Sequence, residues 1–123
     1  MTTRAIAFVA TSQPERALGF YRDVLGLSLV ADTPFALVFD AFGTMLRVQK
    51  AARVQPTPYT SFGLAVEDIE RSVHALAERG VVGVRFPHFT QDELGIWTAP
   101  DDGAKVFWFH DPDLNLLSLS CAS

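Results

Sequence analysis

The chain has 123 residues, 49% of them hydrophobic and 20% charged, a length and composition that suit one globular domain and exclude disorder. A formal net charge of −4 with no Lys/Arg cluster excludes the basic face that nucleic-acid binding requires. The only cysteine is Cys121, so no intrachain disulfide can form, and no apolar run approaches the ~20 residues that span a bilayer.

Met1-Thr2-Thr3-Arg4 leads into an apolar run with no signal-peptide core, which makes the cytoplasm the expected location. Residues 4–11 are short, apolar and partly β-branched, and read as a buried strand. Ser12 is the expected N-cap of a helix with Pro14 in its first turn, and Gly26 is its stop. Ala17, Leu18, Tyr21, Val24 and Leu25 form the inward face of this helix. Strands are expected near 27–32, 35–40 and 44–50, with turns at Asp32-Thr33-Pro34 and Asp40–Gly43. Residues 51–59 contain two prolines and read as a linker. A strand at Ser61–Val66 then precedes a helix over Glu67–Arg79, with Ile69, Val73, Leu76 and Ala77 inward and Gly80 as its stop. Further strands are expected near 82–86, 105–110 and 115–120, with a longer insertion at 88–104 that contains Trp97 and a Pro100–Gly103 turn.

The second half repeats the order of the first. A shift of 55 lays Glu15-Arg16 on Glu70-Arg71 and Val9 on Leu64, and a shift of 71 lays Asp40 on Asp111 and 44–49 on 115–120. Each half is a βαβββ unit, which predicts one α+β domain over 1–123: module one at 1–50, the linker at 51–59 and module two at 60–123.

Two segments carry a family resemblance. Phe20-Tyr21-Arg22-Asp23-Val24-Leu25-Gly26-Leu27 resembles the helix-to-strand segment of the vicinal oxygen chelate superfamily, which includes glyoxalases, bleomycin-resistance proteins and extradiol dioxygenases. Phe109-His110-Asp111-Pro112-Asp113-Leu114-Asn115 and the apolar run after it resemble the family's closing hairpin, with Leu114 in place of the usual glycine. Arg85-Phe86-Pro87-His88, with Trp97 after it, is similar to the second half of many members. The resemblance implies two modules whose curved sheets form a cup with helices outside, and a homodimer.

In enzyme members a divalent metal hangs in the cup from His, Gln or Glu at four strand positions. By the resemblance these positions fall here on Ile6, Arg47, Ser61 and Ser118, and the two internal shifts relate Ile6 to Ser61 and Arg47 to Ser118. Isoleucine has no donor atom, a guanidinium repels a cation, and serine hydroxyls are poor anchors, so no metal and no other cofactor is expected. His88, His110, Asp92, Glu93, Asp111 and Asp113 are the donors from which a displaced metal site would have to be built.

An arginine pointing into a cup meets a ligand's anionic group, pairs with an acidic residue of its own chain, or reaches solvent at the mouth. Phe8, Trp97, Phe107, Phe109 and Trp108 lie on or beside strands that would line the cup. Because strand side chains alternate, either Phe107 and Phe109 or Trp108 and His110 point inward. A four-residue turn at Asp111–Leu114 would place Phe107 opposite Ser118 and turn the phenylalanines inward.

The expected function is metal-free binding of a small aromatic or anionic compound, of the bleomycin-resistance-like type, with Phe8, Arg47, His88, Trp97, Phe107, Phe109, His110 and Ser118 as the ligand-binding set. The alternatives are a glyoxalase-like lyase or isomerase using Arg47 and a histidine, a metal-dependent enzyme with a displaced site, and a partner-binding module. A small molecule and a second copy of the chain are the expected partners, with no nucleic acid and no membrane.

Overall fold

In the computed structural model, which describes residues 2–122, the chain is α+β and forms two compact units, each with one four-stranded sheet. Unit 1 comprises the residues up to Thr57 together with Asp111–Asn115, and unit 2 comprises Pro58–His110 and the residues from Leu116 onward. Among the described residues no helix is long and apolar enough to cross a membrane.

Unit 1 contains β1 (Ile6–Thr11), α1 (Pro14–Gly19) continuing into a π-helical turn (Phe20–Val24), β2 (Ser28–Asp32), β3 (Ala36–Ala41) and β4 (Thr44–Lys50). Its strand order is β1-β4-β3-β2, with β1 parallel to β4 and the other pairs antiparallel. Alternation along the strands sends Val9, Leu37, Phe39, Leu46 and Val48 to one face, buried with Ala17, Tyr21, Leu25 and Leu27. The opposite face carries Ile6, Phe8, Met45 and Arg47.

The N-terminus of α1 departs from expectation. Gln13 is the capping residue, without a side-chain cap, while the Ser12 hydroxyl and N–H both donate to Asp113. Asp113 captures Ser12 because it belongs to a buried polar turn, Asp111–Asn115. The Tyr21 hydroxyl donates to Asp111 at 2.6 Å, and the backbone N–H groups of Asp113 and Asn115 donate to the same carboxylate at 2.9 Å. The Asn115 side-chain amide donates to Asp111 and to the Ala10 carbonyl, each at 2.8 Å, and the buried Thr11 hydroxyl donates to Asp113. Among the described residues no buried side-chain nitrogen or oxygen lacks a partner.

Unit 2 contains β5 (Phe62–Ala65), α2 (Ile69–Glu78), β6 (Trp97–Thr98), β7 (Lys105–His110) and β8 (Leu116–Cys121), in the order β5-β8-β7-β6. The helix starts where the Asp68 carboxylate accepts the Arg71 N–H. It stops at Gly80, whose φ of +89° lets Gly80 and Val81 donate back to Ala77 and Leu76. Ile69, Val73 and Leu76 are buried, whereas Ala77, expected inward, is exposed.

The strand expected near 82–86 does not form. Its one backbone bond to the sheet is Val84 N–H to the Trp108 carbonyl, because the side chain of Gln91 takes the Phe86 N–H and the Val84 carbonyl. Gly83 lies so close to Phe107 that an added Cβ would sit 2.6 Å from the ring. The fourth strand of this sheet is β6, drawn from the insertion.

Leu114 has a φ of +68° and is 58% exposed, so it carries left-handed strain without core packing in return. Leu114→Gly is expected to stabilise the protein by about 0.5–1 kcal/mol, the strain relieved exceeding the entropy that glycine adds to the unfolded chain. A lower melting temperature would refute this.

Burial pushes the Asp113 carboxyl up, but bonds from the Ser12 hydroxyl, the Thr11 hydroxyl and the Ser12 N–H outweigh it and hold it below the usual carboxylate range. Its stabilisation is therefore complete above about pH 4, the unfolded value, and is lost as pH falls through the lower folded value. Asp113→Ala should cost roughly 2–4 kcal/mol at pH 7 and flatten the acid limb of the stability curve. Denaturant titrations at pH 7 and pH 3 that give the variant and the parent the same pH dependence would contradict the assignment.

Candidate functional site

On the outward face of the unit 1 sheet, Arg47 stands between Phe8 on β1 and Val38 on β3. Phe8 is 52% exposed, and Ile6 and Met45 beside it are also exposed. A cavity of about 640 Å³ opens next to Ile6 and Met45 and reaches Arg4 and Asp40. Arg47 is half-buried, and its guanidinium forms no hydrogen bond or ion pair with any described residue. Of the three possibilities for this guanidinium, pairing with an acidic residue of its own chain is thus not realised among the described residues.

In unit 2 the corresponding face is aromatic. Trp108 on β7 lies directly opposite Ser118 on β8, and Trp97 on β6 lies opposite Val106. Phe89 stacks on Trp108 with centroids 5.2 Å apart and an interplanar angle of 4°, and Phe86 meets Trp108 edge-on at 5.2 Å. His88 is exposed and lies 4.7 Å from the Phe89 ring. Beside this group is a cavity of about 430 Å³ lined by Pro58, Tyr59, Thr60, Phe86, His88, Phe89, Trp108 and Leu116. That volume lies within the range of pockets for small organic ligands.

The expectation that Phe107 lies opposite Ser118 is corrected. Phe107 faces Leu119 and Phe109 faces Leu117, and both phenylalanines are fully buried in the unit 2 core. The turn has five residues rather than four, because Asn115 is held in it by Asp111, and one extra residue exchanges the two faces of β7. Trp108 and His110 therefore share the aromatic face. His110 is exposed at the end of β7, and neither His88 nor His110 makes a side-chain hydrogen bond with a described residue. Neither histidine is thus paired with a hydroxyl or thiol among the described residues.

Of the sequence-derived ligand set, the structure brings Phe8 beside Arg47 and groups His88 and Trp97 with Trp108 and Ser118. It sets Phe107 and Phe109 on the other side of the sheet. Phe89, Tyr59 and Leu116 were missed as lining residues: Phe89 and Tyr59 stand in no recognised motif, and Leu116, though in the closing hairpin, reads there only as part of an apolar strand. Gln91 was missed as well. Its side chain accepts from Phe86 N–H at 2.8 Å and donates to the carbonyls of Val84 and Gly95, each at 2.9 Å. Asp92 accepts the N–H groups of Leu94 and Ile96, and Arg85 donates to the Glu93 carbonyl. These bonds fold residues 84–97 into a strap that carries Phe86, His88, Phe89 and Trp97.

The side chains of Ile6, Arg47, Ser61 and Ser118, to which the resemblance carries the family's metal positions, do not fit a divalent ion: they are an alkyl group, a fixed cation and two hydroxyls. Among the described residues no three His, Cys, Asp or Glu side chains come together as a group able to hold a metal. Asp111 and Asp113 are engaged in the buried turn, and Asp92 caps the strap.

Gln91→Ala strands two backbone carbonyls and one N–H of the strap, and is expected to cost about 1–3 kcal/mol and to shift tryptophan emission to the red. An unchanged spectrum and an unchanged melting temperature would remove Gln91 from this role.

None of the curated proteins matches the chain in sequence. Among solved structures, a member of the glyoxalase/bleomycin resistance protein/dioxygenase superfamily from Sphaerobacter thermophilus is 26% identical, with a TM-score of 0.75 over 98% of this chain and 98% of that one. The fosfomycin resistance protein FosX from Listeria monocytogenes is 10% identical, with a TM-score of 0.77 over 100% of this chain and 95% of that one. TioX from Micromonospora sp. ML1 is 14% identical, with a TM-score of 0.69 over 99% of this chain and 100% of that one. The family model of the glyoxalase/bleomycin resistance protein/dioxygenase superfamily matches residues 4–119, and the chain belongs to that superfamily.

Proposed function

We propose that this protein is a metal-free small-molecule binder of the bleomycin-resistance-like type that holds a small aromatic or anionic compound. The observation that carries the reading is Arg47. A half-buried guanidinium with no acidic partner among the described residues, beside an exposed phenylalanine on the same sheet face, is suited to a ligand that combines negative charge with an apolar ring. The aromatic cavity of unit 2 supports the ring half of this reading independently. The residues at the four metal positions support the metal-free half. On family resemblance and the lone cysteine, we further propose a cytoplasmic homodimer.

The test is calorimetric titration with naphthalene-2-carboxylate and the uncharged naphthalene-2-carboxamide, on protein purified without a metal-affinity tag and assayed for divalent metals. Micromolar binding is expected, with Arg47→Ala weakening the carboxylate about tenfold and the amide little, the scale of one lost charge-assisted contact. Binding of neither probe, or carboxylate binding indifferent to Arg47→Ala, would reject the anion-binding assignment. A stoichiometric divalent ion whose removal lowers the melting temperature would reject the metal-free reading and point to a metalloenzyme with relocated ligands.

A further inference from the structure

We infer that Phe89 is a resident substitute for a ligand ring: it occupies the face of Trp108 that a bound planar, uncharged ring would take, and it must swing away for that ring to stack. The inference rests on reading this protein as a binder of small aromatic compounds and adds how the ring is received.

Three observations meet at this residue. The first is geometry. Phe89 is parallel to Trp108 within 4° at 5.2 Å, whereas its contacts with Trp97, His88 and Phe86 are inclined by 36°, 48° and 80°. Parallel stacking of one ring on the indole is the arrangement a planar ligand would adopt on the same face.

The second is tethering. Phe86 and Gln91 are fixed by the Gln91 amide, and residues 87–90 form an excursion between these two anchors. Within the excursion the Phe89 N–H bonds to the Phe86 carbonyl at 3.1 Å, Pro87 has no N–H to offer, and His88 and Thr90 are exposed. Opening these four residues breaks one backbone bond, trades the ring contacts of Phe89 for those of the incoming ring, and leaves both anchors in place, so the motion stays local.

The third is room and chemistry. The cavity of about 430 Å³ lies against Phe89 and Trp108, and none of its lining residues is Lys, Arg, Asp or Glu. An apolar wall without a charged group selects an uncharged ring at this position.

Phe89 then competes with the ligand, and its removal strengthens binding, the opposite of what removal of a wall residue does. The experiment is calorimetry with naphthalene-2-carboxamide on the parent protein, Phe89→Ala, Phe89→Leu and Trp108→Ala, with melting temperatures measured alongside. Phe89→Leu keeps apolar bulk over Trp108 without a planar ring and guards against loss of the fold.

The expected result is binding about three- to tenfold tighter in both Phe89 variants, the scale of one aromatic pair, and loss of binding in Trp108→Ala. A parent that fails to bind while Phe89→Ala binds would support the inference more strongly still. A parent that binds while both Phe89 variants bind equally or more weakly overturns the inference alone and makes Phe89 an ordinary wall. Binding by neither the parent nor the variants overturns the aromatic-ligand reading, and the inference with it.

Discussion

Two carboxylates, Asp111 and Asp113, are buried in unit 1 at 4% and 8% exposure, and each is met by neutral donors rather than by a cation in the hydrogen bonds described. Hydroxyls of Tyr21, Thr11 and Ser12, the Asn115 amide and several backbone N–H groups supply what water would otherwise provide. Burial first, and then the Asp111 carboxylate, push the Tyr21 phenol far above its usual range and keep it a donor. This cluster fixes the closing turn at five residues and forces Leu114 into a left-handed conformation. The turn length in turn sets the register of β7 on β8. The face that Trp108 shows, and the core that Phe107 fills, both follow from that register.

Unit 2 solves a different problem. Its insertion is too polar and too broken to add a long strand, yet it must cover an aromatic sheet face. The Gln91 amide resolves this by imitating a strand partner, with one acceptor and two donor hydrogens placed on three backbone groups. The bonds that would have joined 82–86 to the sheet as a strand are spent within the strap. The outcome is a set of aromatic side chains in which Phe86 is anchored through the Gln91 amide, and Phe89 through one backbone bond to Phe86 and its ring contacts.

Membership of the glyoxalase/bleomycin resistance protein/dioxygenase superfamily accounts for the architecture. At two of the positions to which the resemblance carries the family's metal ligands, Arg47 brings a fixed positive charge and Ser118 lies opposite Trp108. Side chains on these faces can differ between members while the strands and their pairing stay intact, because they point away from the buried faces that stabilise each sheet.

The repeat, the α+β class and most element positions were legible in the sequence because they rest on local periods. Short apolar runs marked β1, β3 and β4, and helical spacing with Gly80 as the stop marked α2; the shifts of 55 and 71 relate the observed pair Phe8 and Arg47 to the observed pair Gly63 and Ser118. The resemblance pointed to the closing hairpin, which the structure forms with its turn at Asp111–Asn115. Tertiary structure alone decided the rest. Whether Asn115 belonged to the turn or to the strand depended on Asp111 and Ala10, the latter 105 residues away along the chain, and that choice exchanged the two faces of β7. Ser12 was drawn from its helix to Asp113, a partner about a hundred residues distant. Gln91 and Phe89 stand in no motif, and their roles arise only where the strap folds back on the sheet. Local spacing reports which side chains share a face. Which face is buried and which receives a ligand is settled by hydrogen bonds between segments remote in the chain, and no local period records them.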